Sequence, residues 1–474
     1  MLKRLLISPP LAIARLGSSD TPLECFHWGP NDDRPRGTGK TTIKPGETLV
    51  IAADGTVTSN TPMVIQFKDV DPADGTERFR PVCPFFELHG VWESNGETVE
   101  GPLTPAILHK LGLDPSQLRW TVHAGNLKPF HMTGDSDCRI EARVELQGDD
   151  VNPVELRGVS PKGSLNPLVK DGTHIPLGTV RLTKPTDDLP EFRLRFIPAK
   201  GRFYGPPELK SIWNVDIPKE QLFLNRHSTW VGFLPSSDDP RTNPGGLYAG
   251  EGIDPGASLG MVDDVCDAII SCSIPGSDIA AGFARVTVSP PDYAPDRRHL
   301  ITIADALKDH TDRADVSEAG YVAAESTEVE IQDLFERILE TMGLMNVDVF
   351  NNRVDVQENP ATAFARGIPY KPTDHYAFPP EPSLTGESFP LTQRGRQAHR
   401  RMLSIEIIQD LIREKPGLIE QWIRPPGGND GFFTKQMPPV MRDSSGGPLH
   451  LTRRQYELLR NWANEIRKGV EANS

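Results

Sequence analysis

RWTVHAG, residues 119–125, sets Trp120, Val122 and Ala124 on one side of an extended chain and Thr121 and His123 on the other. Alternation at a period of two is the pattern of a half-buried strand. CRIEARVEL (138–146), EFRLRFIPA (191–199) and ARVTVSPP (284–291) show the same alternation or β-branched content and run into Pro, Gly or Asp. The first 300 residues are therefore expected to be strand-rich. Short helices interrupt them: Thr104 followed by Pro105 opens LTPAILHKLGL (103–113), and ITIADALKDH (301–310) is another brief one.

From about residue 326 the pattern changes. Thr327 and Glu330 have the spacing of a capping box, and Ile331, Leu334, Phe335, Ile338, Leu339 and Met342 trace a core-facing stripe that stops at Gly343. A Pro-rich stretch from Asn359 to Pro390 reads as extended chain over the surface. Helical pattern returns in RRMLSIEIIQDLIREKPGLIEQW (400–422) and again in HLTRRQYELLRNWANEI (450–466). In the last of these Thr452 and Gln455 form a capping box, and Tyr456, Leu459, Trp462 and Ile466 share one face. The expected architecture is α+β, with a strand-rich domain over 1–315 and a more helical domain over 326–474 that carries the Trp462 helix.

Composition narrows the function. The 474 residues include 45 Pro and 41 Gly, which favours strands, turns and irregular connections over long helices. A net charge of −14 argues against duplex nucleic acid or an anionic membrane as partner. The cysteines, Cys25, Cys83, Cys138, Cys266 and Cys272, are odd in number and contain no C-x-x-C pair. They read as buried free thiols in a reducing compartment, the cytoplasm. Pro9 and Pro10 interrupt the apolar start MLKRLLISPPLAIA, so it reads as a mature first strand rather than a leader, and no stretch reads as a membrane span.

Motifs give little by themselves. RGTGKTT (36–42) resembles a phosphate-binding loop, but the Gly such a loop needs five residues before its Gly-Lys pair is Arg34 here. Asp263, Asp264 and Asp267 in MVDDVCDAII invite a hard cation but lack the spacing of a cation loop; a surface turn, or carboxylates accepting backbone N–H groups, is the plainer reading. The twelve His form no H-x-x-x-H or H-x-H pair, so no metal site is expected. Neither a nucleophile elbow nor a dinucleotide fingerprint is present.

Several stretches together resemble the lysine ε-oxidase and glycine oxidase family, quinoproteins whose cysteine tryptophylquinone is made from their own side chains. SPPLAIARLGSS (8–19), LRWTVHAGNLK (118–128), MVDDVCDA (261–268), VTVSPPDYAPD (286–296), MPPVMRD (437–443) and LTRRQYELLRNW (451–462) match its segments in order along the chain. The resemblance implies a strand-rich scaffold and an oxidoreductase that deaminates a primary amine or amino acid, free or within a peptide. Its products are an aldehyde or oxo acid, ammonia and hydrogen peroxide, with dioxygen as the oxidant. The family's cofactor Trp falls on Trp462, and its Met-Pro…Asp motif places a candidate base at Asp443, a residue that reads equally well as an Asx turn. The resemblance also implies a flavoprotein partner for maturation; homo-oligomer formation stays open.

One departure bears on the cofactor directly. No cysteine follows Cys272, so the sulfur that would crosslink the tryptophan is missing from the region where the family carries it, and Met437 and Met441 offer only poorly nucleophilic thioethers. Arg442 and Ala268 also stand where the family has Gly, and the chain is short for the family. Three expectations follow: Trp462 is unmodified and the scaffold serves binding or a partner in a biosynthetic pathway; Trp462 is still oxidised by another route, as a hydroxylated indole or tryptophan-derived quinone, or through a crosslink to another residue such as Trp422 or a cysteine that folding brings close; or only the fold is shared.

Overall fold

The computed structural model describes residues 1–31, 41–73, 75–207, 217–225, 261–291, 298–316, 325–343, 405–415, 417–427 and 450–471. Its main strands are β1 (Leu2–Ser8), β2 (Leu11–Arg15), β3 (Phe85–Ser94), β4 (Glu97–Pro102), β5 (Arg119–Asn126), β6 (Ile140–Gln147), β7 (Val154–Gly158), β8 (Ile175–Leu182), β9 (Arg193–Ile197), β10 (Phe203–Tyr204), β11 (Val262–Asp263), β12 (Asp267–Ser273) and β13 (Gly282–Ser289). One sheet runs β1-β3-β9-β8-β7 with β4 also on β3, and the other runs β6-β5-β12-β13-β2. All these pairings are antiparallel except β13 with β2. Each strand expected from the sequence is present.

The alternation of RWTVHAG sets its place. Trp120, Val122 and Ala124 have no exposed surface, and they share one core with Phe86 and Leu88 of the first sheet and Ile270 and Val286 of the second. Removing such side chains from water is worth roughly 1.5–3 kcal/mol each, enough to hold two sheets on one core. Pro9 and Pro10 lie where the chain leaves β1 in the first sheet and enters β2 in the second. Proline has no N–H for a ladder, so the pair ends one strand without extending it.

The chain divides into two compact units, Met1–His27 with Pro45–Tyr293, and Trp28–Lys44 with Ala294–Ser474. Helices α1 (Pro105–Lys110) and α2 (Lys128–Thr133) belong to the first. The second holds α3 (Ile303–Thr311), α4 (Glu325–Gly343), α5 (Ile405–Glu414), α6 (Leu418–Trp422) and α7 (Arg453–Glu471). Thr104 caps α1 as expected, its hydroxyl accepting the Ile107 N–H. The single helical stretch read over 400–422 is instead α5 and α6, interrupted where the sequence reads Lys415-Pro416-Gly417. No described helix is long and apolar enough to cross a membrane. The Pro-rich stretch 359–390 and Arg36–Lys40 of RGTGKTT lie outside the described residues.

Candidate functional site

Helix α7 is built as its sequence suggests. The Thr452 N–H donates to Gln455 Oε1 at 2.9 Å and the Gln455 N–H to Thr452 Oγ1 at 3.2 Å, a reciprocal capping box. A second anchor comes from α3, where Asp309 Oδ1 accepts the Arg454 N–H at 2.6 Å, a carboxylate at the positive end of the helix. The Arg454 guanidinium reaches Glu330 Oε1 at 2.5 Å. That contact corrects the expected capping box of Thr327 and Glu330: α4 begins at Glu325, Thr327 is already helical, and Glu330 pairs with Arg454 of α7. Changing Thr452 to Ala is expected to cost about 1 kcal/mol, the usual value of an N-cap, in a denaturant titration followed by helical circular dichroism.

The inward face of α7 is wider than one stripe. Leu458, Leu459, Trp462 and Ala463 are buried, with Tyr456 and Ile466 packed at the margin. Trp462 is 3% exposed and shares its cluster with Leu300, Ile331, Leu334, Phe335, Ile412 and Ile419. Next to it, Asn461 Nδ2 donates to the Val316 carbonyl at 2.5 Å. In this part of the fold Trp462 is a core side chain among apolar groups. Asp443, Met437, Met441 and the Trp422 side chain lie outside the described residues.

A cysteine tryptophylquinone at this position requires a thiol, and all five cysteines belong to the strand-rich unit. Cys83, Cys138, Cys266 and Cys272 are buried in the strand-rich unit, while Cys25 is exposed, against the expectation that all five are buried. Burial pushes the Cys83 thiol up to about 11 and raises Cys266 and Cys272 further, so none is a ready nucleophile. The Cys266 thiol donates to the Leu177 carbonyl at 3.2 Å. The helical unit's own sequence supplies no thiol for the crosslinked group.

The strand-rich unit brings two of the resembling segments together. Asn126 Nδ2, at the end of β5, donates to the Asp263 carbonyl at 2.8 Å and to its Oδ1 at 3.1 Å, and Lys128 pairs with Asp263 Oδ2. Asp264 points inward and is 1% exposed, so of the two plainer readings of MVDDVCDAII the carboxylate accepting backbone N–H groups holds at this residue and the surface turn does not. Its Oδ2 accepts the Arg202 N–H at 2.9 Å, while Oδ1 is buried without a donor. Burial, with the Asp263 charge, pushes this carboxyl up to about 7 against the pull of the Arg202, Asp264 and Gly201 backbone N–H groups. Nothing in the sequence separated Asp264 from Asp263. Among the described residues no group of three His, Cys, Asp or Glu is placed to share a cation.

No protein-family model and no curated protein matches this chain. Among solved structures it is similar to the ε-lysine oxidase of Marinomonas mediterranea, at 16% identity and TM-score 0.48 over 98% of this chain and 61% of that one. It is similar as well to the Schiff-base intermediate of L-Lys ε-oxidase from that organism with L-Lys, at 16% identity and TM-score 0.45 over 97% and 60%. A further structure of that L-Lys ε-oxidase aligns at 16% identity and TM-score 0.44, again over 97% and 60%. The chain spans about three fifths of the length of the structures it matches.

Proposed function

We propose that this chain keeps the scaffold of a quinone-dependent amine oxidase without its crosslinked cofactor, and that it binds a small amine or amino acid, free or in a peptide, rather than oxidising it. The observation that carries this reading is the position of Trp462: 3% exposed, in an apolar cluster, in a unit whose sequence holds no cysteine. A cofactor must meet its substrate, and a side chain walled in by Leu, Ile and Phe is placed for packing. The net charge of −14 supports a cationic or zwitterionic ligand.

The test uses the full chain co-expressed with the flavoprotein that maturation in the resembling family calls for. Its intact mass is expected to equal the sequence mass, with no visible absorption and no peroxide released on adding lysine, glycine or a lysine peptide. Calorimetry with the same compounds is expected to register binding. A mass raised by oxygen, together with visible absorption, would overturn the reading.

A second reading, amine oxidation at a Trp462 oxidised without sulfur, is favoured by one feature. The helix retains the Gln455-Tyr456…Trp462 pattern together with the capping box that fixes it. Under that reading Trp462→Phe abolishes amine-dependent peroxide production, with Asp443 as the candidate base.

A further inference from the structure

We propose that Asp264 is a pH-operated latch in the strand-rich unit: its carboxyl holds the Gly201–Tyr204 turn against β11 while it carries a proton, and loosens that turn when it ionises. The turn is tied to this residue twice, by the Arg202 N–H to Asp264 Oδ2 at 2.9 Å and by the Asp264 N–H to the Arg202 carbonyl at 3.2 Å. Immediately beyond, the two-residue ladder Phe203↔Asp263 and Tyr204↔Val262 forms β10–β11. Tyr204 is buried and stacks at a tilt on Phe223, ring centroids 5.2 Å apart. A ladder this short has little cohesion of its own, and it is fastened at its entry by this carboxyl and just beyond Tyr204 by the Gly205 N–H to the Gln221 carbonyl at 3.0 Å.

The two protonation states of Asp264 differ in what they leave unsatisfied. As an anion, the 1% exposed carboxylate is met by the backbone N–H groups of Arg202, Gly201 and Asp264 itself but by no paired cation among the described residues, and a buried charge without a counter-charge is heavily penalised. As a neutral acid it keeps the Oδ2 contact and loses the penalty.

The Asp263 charge acts in the same direction. Asp263 and Asp267 are negative neighbours along the same segment, and Lys128 is spent on Asp263. Arg202 gives its backbone N–H and its guanidinium is a positive charge acting on Tyr204, while the Tyr204 hydroxyl, raised to about 12 by burial and by Asp264, is neutral. Cys266 is a neutral thiol, and Glu155 adds further negative charge near Tyr204.

The sign follows from linkage. The folded carboxyl titrates near 7 and an opened one near the usual 3.8, so the closed turn binds the proton more tightly. Closure is strongest below about pH 4, weakens as pH rises toward 7, and levels off above it.

Hydrogen exchange by mass spectrometry on the full chain tests this. In peptides covering 199–206 and 261–266, protection corrected for intrinsic rate is expected to fall by up to about tenfold per pH unit between 4.5 and 7. In Asp264→Asn, which cannot ionise, protection in both peptides should not change with pH. Asp263→Asn should keep the pH dependence and shift it to lower pH, because one repelling charge is gone. Protection that is independent of pH in the natural chain overturns the latch. So does a pH dependence that persists unchanged in Asp264→Asn. Should that variant not fold, the pH series on the natural chain and on Asp263→Asn still decides.

Discussion

Changing Trp462 to alanine is expected to remove about 3–5 kcal/mol from the stability of the helical unit, the range for deleting a buried aromatic side chain from a packed core. The residue closes the cluster formed by Leu334 and Phe335 of α4, Ile412 of α5 and Ile419 of α6. Its loss opens a cavity that the surrounding helices relax into only in part: α7 is held at its start by Thr452 and Asp309 and along its length by Asn461. Denaturant unfolding monitored by helical circular dichroism gives the number. Trp462→Phe, which keeps most of the apolar area, should cost much less. If the alanine variant loses under about 1 kcal/mol, the ring is not a core element and the case for an unmodified tryptophan fails with it.

That expectation was half legible in the sequence. Period-3.6 spacing showed that Trp462 faces inward, and Thr452 with Gln455 marked where the helix starts. The strands were legible for the same reason: a period of two over RWTVHAG leaves only one face to bury. The segments that carry the family resemblance in the first unit are largely those of the five-stranded sheet, β2, β5, β12 and β13. Gly17 shows why such a segment is constrained, since a Cβ there would lie 2.5 Å from the Pro81 nitrogen.

What stayed hidden depends on contacts across long stretches of chain. EFRLRFIPA alternates as though Arg193 and Arg195 faced water, yet both are buried: Arg193 reaches Glu87 and Glu191, and Arg195 lies 4.6 Å over the Phe85 ring. Asp263 and Asp264 are chemically identical in sequence; in the fold one meets Lys128 and the other meets only backbone. Glu330 looked like a cap because its partner, Arg454, is 124 residues away.

The other large effect is expected at Arg337, the charged centre of the helical unit. Its guanidinium donates to Asp305 Oδ2 at 2.7 Å and to the Leu300 carbonyl at 2.9 Å, and Nε lies 2.9 Å from Asp333 Oδ2. Asp305 is at the same time the acceptor for the Thr302 N–H and hydroxyl, both at 2.8 Å, so one carboxylate joins the capping box of α3 to α4. Arg337→Met keeps the apolar stem and removes the charge. It leaves Asp305, only 15% exposed, as an unpaired anion, and breaking a buried pair from one side costs about 3–5 kcal/mol.

Two further measurements separate this from a simple packing loss. Adding Asp305→Asn to Arg337→Met should recover part of the cost, giving a coupling energy in a double-mutant cycle. The acid limb should change as well. Burial pushes Asp305 up, but the bonds from Arg337 and Thr302 outweigh it and hold the carboxyl below its usual range. A depressed carboxylate contributes stability that is present above the unfolded value near 4 and is lost as pH falls through the folded one. Without Arg337 most of that depression goes, so the variant should lose less stability between pH 5 and 3 than the natural chain does. A single-variant cost under about 1 kcal/mol, with an unchanged acid limb, would mean that solvent already screens the pair and that the apolar cluster around Trp462 alone holds these helices together.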